Sequence, residues 1–146
     1  MKIKRATDVK RSDFEVFLKR NDTEIDEAQF QQPTSYVIEE HGTIISWFQI
    51  ESLHHRRLWL KKMLIVQEEA MKLPNVLQSI LQFANERQVQ KLYVNSKQLV
   101  TDLLFSSFSF TLQTREELEP FQLTKEGNWW YYSFVEERIT EMAFLK

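Results

Sequence analysis

The segment Gln67-Glu68-Glu69-Ala70-Met71-Lys72-Leu73 joins an apolar strand expected over residues 58–66 to an amphipathic helix expected over residues 75–86. Strand-to-helix turns of this kind often cradle phosphates, because glycines there let backbone N–H groups close around the anion. This turn holds two carboxylates and one lysine, and no glycine. The whole chain of 146 residues has only Gly42 and Gly127, where an average usage of about 7% would give roughly ten. A side chain at each position hinders close approach of backbone to phosphate. Glu68 and Glu69 repel a pyrophosphate, and only Lys72 offsets them. The helix N-terminus keeps its partial positive charge, a weak anion site by itself. Pro74 removes one of its few N–H donors.

Other residue types narrow the chemistry further. The chain has no cysteine, which excludes disulfides, thiolate nucleophiles and Cys-ligated zinc and leaves the redox compartment open. His54 and His55 are adjacent, point to opposite faces of a strand, and have no third ligand at metal spacing, so they read as a hairpin turn. No metal is expected. Ser106, Ser107 and Ser109 lie near no histidine and read as a helix terminus.

Charge is segregated although the net charge is only −2. Residues 1–20 carry seven Lys/Arg and three Asp/Glu, whereas residues 21–51 carry seven Asp/Glu and no Lys/Arg. Arg56, Arg57, Lys61 and Lys62 follow as a short basic block. Either the acidic stretch attracts a cationic partner or an amine substrate, or charges distant in sequence pair up in space. A net basic footprint is lacking, so nucleic acid is not an expected partner. No apolar run approaches the length of about 18 residues that a membrane span needs, and the N-terminus lacks an apolar signal region. A cytoplasmic protein with no membrane contact is the expectation.

The elements that must position these groups are legible from periodicity. Residues 2–6 read as a strand, followed by a helix capped by Thr7 or Asp8 that carries Val9, Phe14, Phe17 and Leu18. A short helix is possible through Ile25 and Phe30. Residues 35–39 and 43–53 form strands about a His41-Gly42 turn, and a third strand over 58–66 completes an antiparallel meander. Pro74 suits the first turn of the next helix, whose apolar stripe is Val76, Leu77, Ile80, Leu81 and Ala84. A strand over 90–95, a helix over 97–106 and a closing strand pair over 108–113 and 128–136 follow. Strand, helix and strand in succession imply a parallel crossover. In Trp129-Trp130-Tyr131-Tyr132-Ser133-Phe134 one face should be core, the other either covered or open to a partner.

This order, β-α-(α)-β-β-β-α-β-α-β-β, resembles the GNAT superfamily of acyl-CoA-dependent N-acetyltransferases. Three stretches carry the likeness. Tyr36-Val37-Ile38-Glu39-Glu40-His41-Gly42-Thr43-Ile44-Ile45-Ser46-Trp47 is similar to the family's second and third strands. Leu60-Lys61-Lys62-Met63-Leu64-Ile65 is similar to the fourth, with a helix ending Gln82-Phe83-Ala84. Leu92-Tyr93-Val94-Asn95-Ser96 through Leu103-Leu104-Phe105-Ser106-Ser107-Phe108-Ser109-Phe110 is similar to the fifth strand, the fourth helix and the terminal "lYeklGF". The likeness spans residues 36–110.

The resemblance implies an α+β fold with a GNAT-like mixed central sheet, antiparallel meander plus parallel crossover, flanked by helices in one domain over 1–146. It implies acetyl-CoA as cofactor and an amine as acceptor. Met63, Ile65 and Val66 would hold the acyl and pantetheine groups by their strand backbone, with Lys72 and Gln98 as further cofactor contacts. It also exposes departures. Phe105 stands where a tyrosine often protonates the departing thiolate, and Ser109 replaces the glycine of the final pair. Glu51 is the nearest base candidate. Losing a general acid costs about 10² to 10⁴ in rate, so the expectation is a GNAT-fold protein with weak or lost catalysis. The alternatives are an active N-acetyltransferase for an unknown amine and a non-catalytic protein-binding regulator. An enzyme would keep a V-shaped gap between its fourth and fifth strands; a binding module could fill it with Met71, Phe105 and Phe108. The apolar tail over 136–146, with Ile139, Met142, Phe144 and Leu145, would dock or form a homodimer.

Overall fold

Neighbouring residues of opposite parity are both large and apolar along residues 36–48, so a strand here must bury both its faces. The computed structural model of the protein describes residues 1–20, 25–113 and 126–134. In chain order the elements are β1 (Lys2–Arg5), α1 (Arg11–Arg20), α2 (Glu27–Phe30), β2 (Ser35–Glu40), β3 (Thr43–Leu53), β4 (Arg57–Ile65), α3 (Leu73–Glu86), β5 (Lys91–Ser96), α4 (Leu99–Ser107), β6 (Thr111–Leu112) and β7 (Asn128–Ser133). The strands follow the sheet order β1-β2-β3-β4-β5-β7-β6. β4 and β5 are parallel, while β1–β2, β2–β3, β5–β7 and β6–β7 are antiparallel. The mixed α+β architecture expected from the sequence is the one observed.

Two compact units share these strands: residues 1–50 with 61–83, and residues 51–60 with 84–146. In the first, β2 and β3 carry the core. Val37 and Trp47 pair across the strands and point with Ile44 and Val66 into a cluster closed by Phe14 and Phe17 of α1 and Phe30 of α2. On the opposite face Tyr36 stacks on Phe48, and both meet Phe83 of α3 edge-on. Seven consecutive residues of β3, Ile44 through Ile50, are buried, as a strand covered on both faces requires.

In the second unit, β4 runs alongside β5 from Arg57↔Lys91 to Leu60↔Val94, and β5 pairs with the whole of β7. One face gathers Trp59, Tyr93 and Trp129 with Leu53 and Tyr131. The other stacks Phe105, Phe110, Tyr132 and Phe134 in a chain of ring contacts. Both faces of the aromatic strand are therefore engaged, and Lys91 sits 4.4 Å above the Tyr131 ring.

The two glycines serve backbone geometry. His41 and Gly42 both have positive φ, which a two-residue hairpin turn of this hand demands. A Cβ at Gly127 would lie 2.6 Å from the Ser96 carbonyl oxygen, so the entry to β7 closes on the end of β5 only without a side chain. The turn at His54 and His55 is also as expected, with His55 and Arg56 left-handed.

Two of the basic residues in the first segment pair with the acidic stretch in space. Lys4 meets Glu39 at 3.1 Å across β1–β2, and Arg11 meets Glu27 at 3.8 Å. The tail over 136–146, the possible homodimer contact it carried, and the loop containing Pro120 lie outside the described residues. Leu77→Ala, at a fully buried position of α3, is expected to cost about 2–5 kcal/mol in urea unfolding. Val100→Ala, 74% exposed on α4, is expected to stay within about 0.5 kcal/mol. Equal costs for the two would contradict the packing described.

Candidate functional site

The turn between β4 and α3 is a 3-10 helix, Gln67–Lys72. Glu69 N–H donates to Val66 O at 2.8 Å and Leu73 N–H to Ala70 O, the i→i+3 bonding of that helix. These two backbone donors are thus spent within the turn, and Pro74 supplies none. Val66 N–H donates to Ile45 O at 2.8 Å and its side chain is fully buried. The Val66 side chain and N–H are therefore engaged within the fold.

The side chains of this turn neutralise one another. Glu69 lies between Arg20 Nη2 at 3.7 Å and Lys72 Nζ at 2.9 Å. Lys72 also bonds Glu40, and Glu68 faces Arg20 at 3.6 Å. Arg20 and Glu69 are about a quarter exposed, at 23% and 24%, while Glu68 is 74% exposed. The inner pair therefore forms in partial shelter from water. Two cations face three carboxylates, so the cluster has a negative balance. The hydrogen bond to Glu40, then that to Glu69, holds the Lys72 ammonium above its ordinary pKa. The bond to Lys72 holds the Glu40 carboxyl below its own. Lys72, expected as a phosphate contact, is bound to carboxylates instead.

This donor set does not fit the pyrophosphate of an acyl-CoA. The anion would meet carboxylates where backbone N–H groups are needed, and the nearest cations are engaged. Glu40 and Arg20 were invisible as members of the site, because only the folded chain brings residues 20, 40 and 69 together. No local pattern marks them.

The other expected residues disperse. Met63 and Ile65 are half-buried on β4. Met71 is 95% exposed, so it fills no gap. Phe105 is buried against Phe110, ring centroids 5.2 Å apart, and has no ionisable proton; Phe108 is half-buried at the end of α4. Glu51 is exposed on β3, which is internal to the sheet. Gln98 is exposed at the N-cap of α4 and makes no side-chain cap bond.

One organising carboxylate was missed. Asp102 accepts from Trp130 Nε1–H at 2.8 Å and from Asn128 Nδ2 at 3.2 Å, tying the first turn of α4 to β7. Beside it Thr101 donates to Gln98 O at 2.9 Å and bonds Ser96. The Trp130 hydrogen bond, followed by those of Asn128 and Ser96, holds the Asp102 carboxyl below its ordinary pKa. A carboxylate early in a helix looks like ordinary dipole complementarity, and its indole partner is distant in sequence. No group of three or more potential metal ligands occurs among the described residues, and no helix among them is long and apolar enough to cross a membrane.

Glu40 and Asp102, both depressed, contribute stability that is present above the ordinary carboxylate pKa and lost as pH falls through their lower folded values. Lys72, raised, contributes stability that is lost only as pH rises through its folded value. Asp102→Asn is expected to flatten the acid limb of a urea-midpoint titration and leave the alkaline limb unchanged, while Lys72→Met flattens both. An acid limb identical in wild type and Asp102→Asn would refute the assigned role.

No protein-family model matches the sequence, and comparison with curated proteins finds no match. Solved structures do match. PseH, an N-acetyltransferase of Campylobacter jejuni solved in complex with acetyl coenzyme A, aligns with a TM-score of 0.66 at 16% identity, over 90% of this chain and 97% of that chain. A GNAT-family acetyltransferase from Staphylococcus aureus Mu50 aligns at 0.63 and 15% identity, over 90% and 98%. The ribosomal-protein-S18-alanine N-acetyltransferase of Escherichia coli aligns at 0.59 and 10%, over 89% and 90%. At such identities the likeness is one of fold.

Proposed function

Given a GNAT acetyltransferase fold, we propose that this chain is a relative of the acyl-CoA-dependent N-acetyltransferases whose cofactor binding and catalysis are weak or lost, and which acts as a non-catalytic protein-binding regulator in the cytoplasm. The observation that carries the reading is the Glu69 carboxylate held between Arg20 and Lys72 at the β4–α3 turn. A carboxylate already occupies the cations that a pyrophosphate would need, and a negative balance opposes a second anion. Phe105 supports the same reading, since a buried phenyl ring has no proton to give a leaving thiolate. Leu99, Val100 and Leu103 stand exposed on α4, apolar surface of the kind a protein-binding module presents.

An active N-acetyltransferase is the second reading, favoured by the likeness to PseH, whose structure contains acetyl coenzyme A. The acceptor would be an unidentified amine.

Calorimetric titration with acetyl-CoA decides between them. No saturable heat at millimolar cofactor is the expected result; micromolar binding would overturn the proposal and call for an amine-substrate screen. The electrostatic explanation has its own test. Replacing Glu68 and Glu69 together by Gln reverses the balance of the cluster, and is expected to raise affinity for inorganic pyrophosphate above that of the unaltered chain by about tenfold, or about 1.4 kcal/mol. Unchanged affinity would mean that backbone geometry, not charge, closes the turn.

A further inference from the structure

The first unit also contains a cavity of about 300 Å³ beside α1 and α2, formed by elements other than the β4–α3 turn. Its floor is apolar. Phe14 and Phe30 meet with ring centroids 4.0 Å apart, both almost fully buried, and Ala6 beneath them is 2% exposed. Ala6 offers only a methyl group to the floor, which leaves a hollow instead of a filled core position. Half-buried Val9 completes the apolar wall.

The rim is charged with both signs. Arg11 Nη2 and Glu27 Oε1 are 3.8 Å apart, one from the first turn of α1 and the other from the first turn of α2. Arg11 is 77% exposed and Glu27 48% exposed, so the pair contributes little to stability and opens readily for better partners. Arg11 Nε also pairs with Glu15 Oε1 at 3.4 Å, an exposed i,i+4 pair that opens as readily.

This combination selects a ligand class. A phosphate or nucleotide would satisfy Arg11 and be repelled by Glu27. A long acyl chain exceeds a volume at the lower end of small-molecule sites, and leaves both rim charges unmatched. A simple amine leaves Arg11 unmatched. A compact zwitterion with an apolar body fits this rim and wall: its carboxylate meets the guanidinium, with charge-assisted geometry, its ammonium meets Glu27, and its side chain lies against half-buried Val9 and the exposed edge of Phe14. We propose that this cavity binds a free α-amino acid with an apolar side chain. The inference concerns binding, not a reaction, and stands independently of whether the protein holds acetyl-CoA.

The test is an NMR titration of the full ¹⁵N-labelled chain with L-leucine and L-phenylalanine. Saturable shifts confined to amides near residues 6–14 and 27–31 are expected. N-acetyl-leucine, which lacks the ammonium, and leucinamide, which lacks the carboxylate, are each expected to bind at least about tenfold more weakly, and glycine not to saturate. Glu27→Gln and Arg11→Gln change exposed side chains and are expected to fold, with affinity for leucine reduced by about the same factor. Val9→Phe, which fills the hollow, is expected to abolish the shifts. The proposal is overturned by an absence of saturable shifts at millimolar leucine and phenylalanine, or by equal affinities for leucine and N-acetyl-leucine.

Discussion

Tyr36 pairs with Phe48 and Val37 with Trp47 across β2 and β3, so one strand pair drives large apolar side chains into both faces of the sheet at once. Such a pair cannot stay in water on either side, and each face must find a cover. In the first unit α1 and α2 supply one cover through Phe14, Phe17 and Phe30. The other comes from α3 through Phe83. The interval between the two covers fixes the rest. The chain must leave β4, turn, and enter α3 within the few residues of Gln67–Lys72.

How the turn is made determines what it can bind. A glycine-rich loop would present N–H groups outward. In a 3-10 helix the donors after the first turn bond its own carbonyls, as those of Glu69 and Leu73 do here, and the side chains then shape the electrostatics. Here they form a closed set, Arg20 and Lys72 against Glu40, Glu68 and Glu69, that needs no external anion. The sheet order is that of a GNAT fold, while the turn carries two cations against three carboxylates. At α4 a different carboxylate is tied down, where Asp102 accepts from Trp130 and joins helix to strand.

Charge segregation along the chain has a similar resolution. The basic first twenty residues and the acidic stretch after them look like opposing surfaces when read linearly. In the folded protein Lys4, Arg11 and Arg20 each meet carboxylates from later segments. Part of the asymmetry is therefore spent in pairing within the first unit, and the longest of these pairs, Arg11 with Glu27 at 3.8 Å, sits over a hollow.

Periodicity was enough to place the meander, the α3 stripe and the crossover, because burial of apolar residues is a local pattern repeated at the spacing of a strand or a helix. Two glycines in the whole chain, neither of them at residues 67–73, were enough to show that this turn is not glycine-rich and that side chains stand at every position of it. How those side chains are arranged was a tertiary matter. The orientation of Glu69, the capture of Lys72 by Glu40, the burial of Val66 and the bond from Trp130 to Asp102 all join residues from separate elements. Each depends on side-chain direction and on distances of a few ångströms, which linear spacing does not encode. The Phe14–Phe30 hollow above Ala6 is of the same kind, for a cavity is a property of what packs around it and leaves no pattern in the residues that line it.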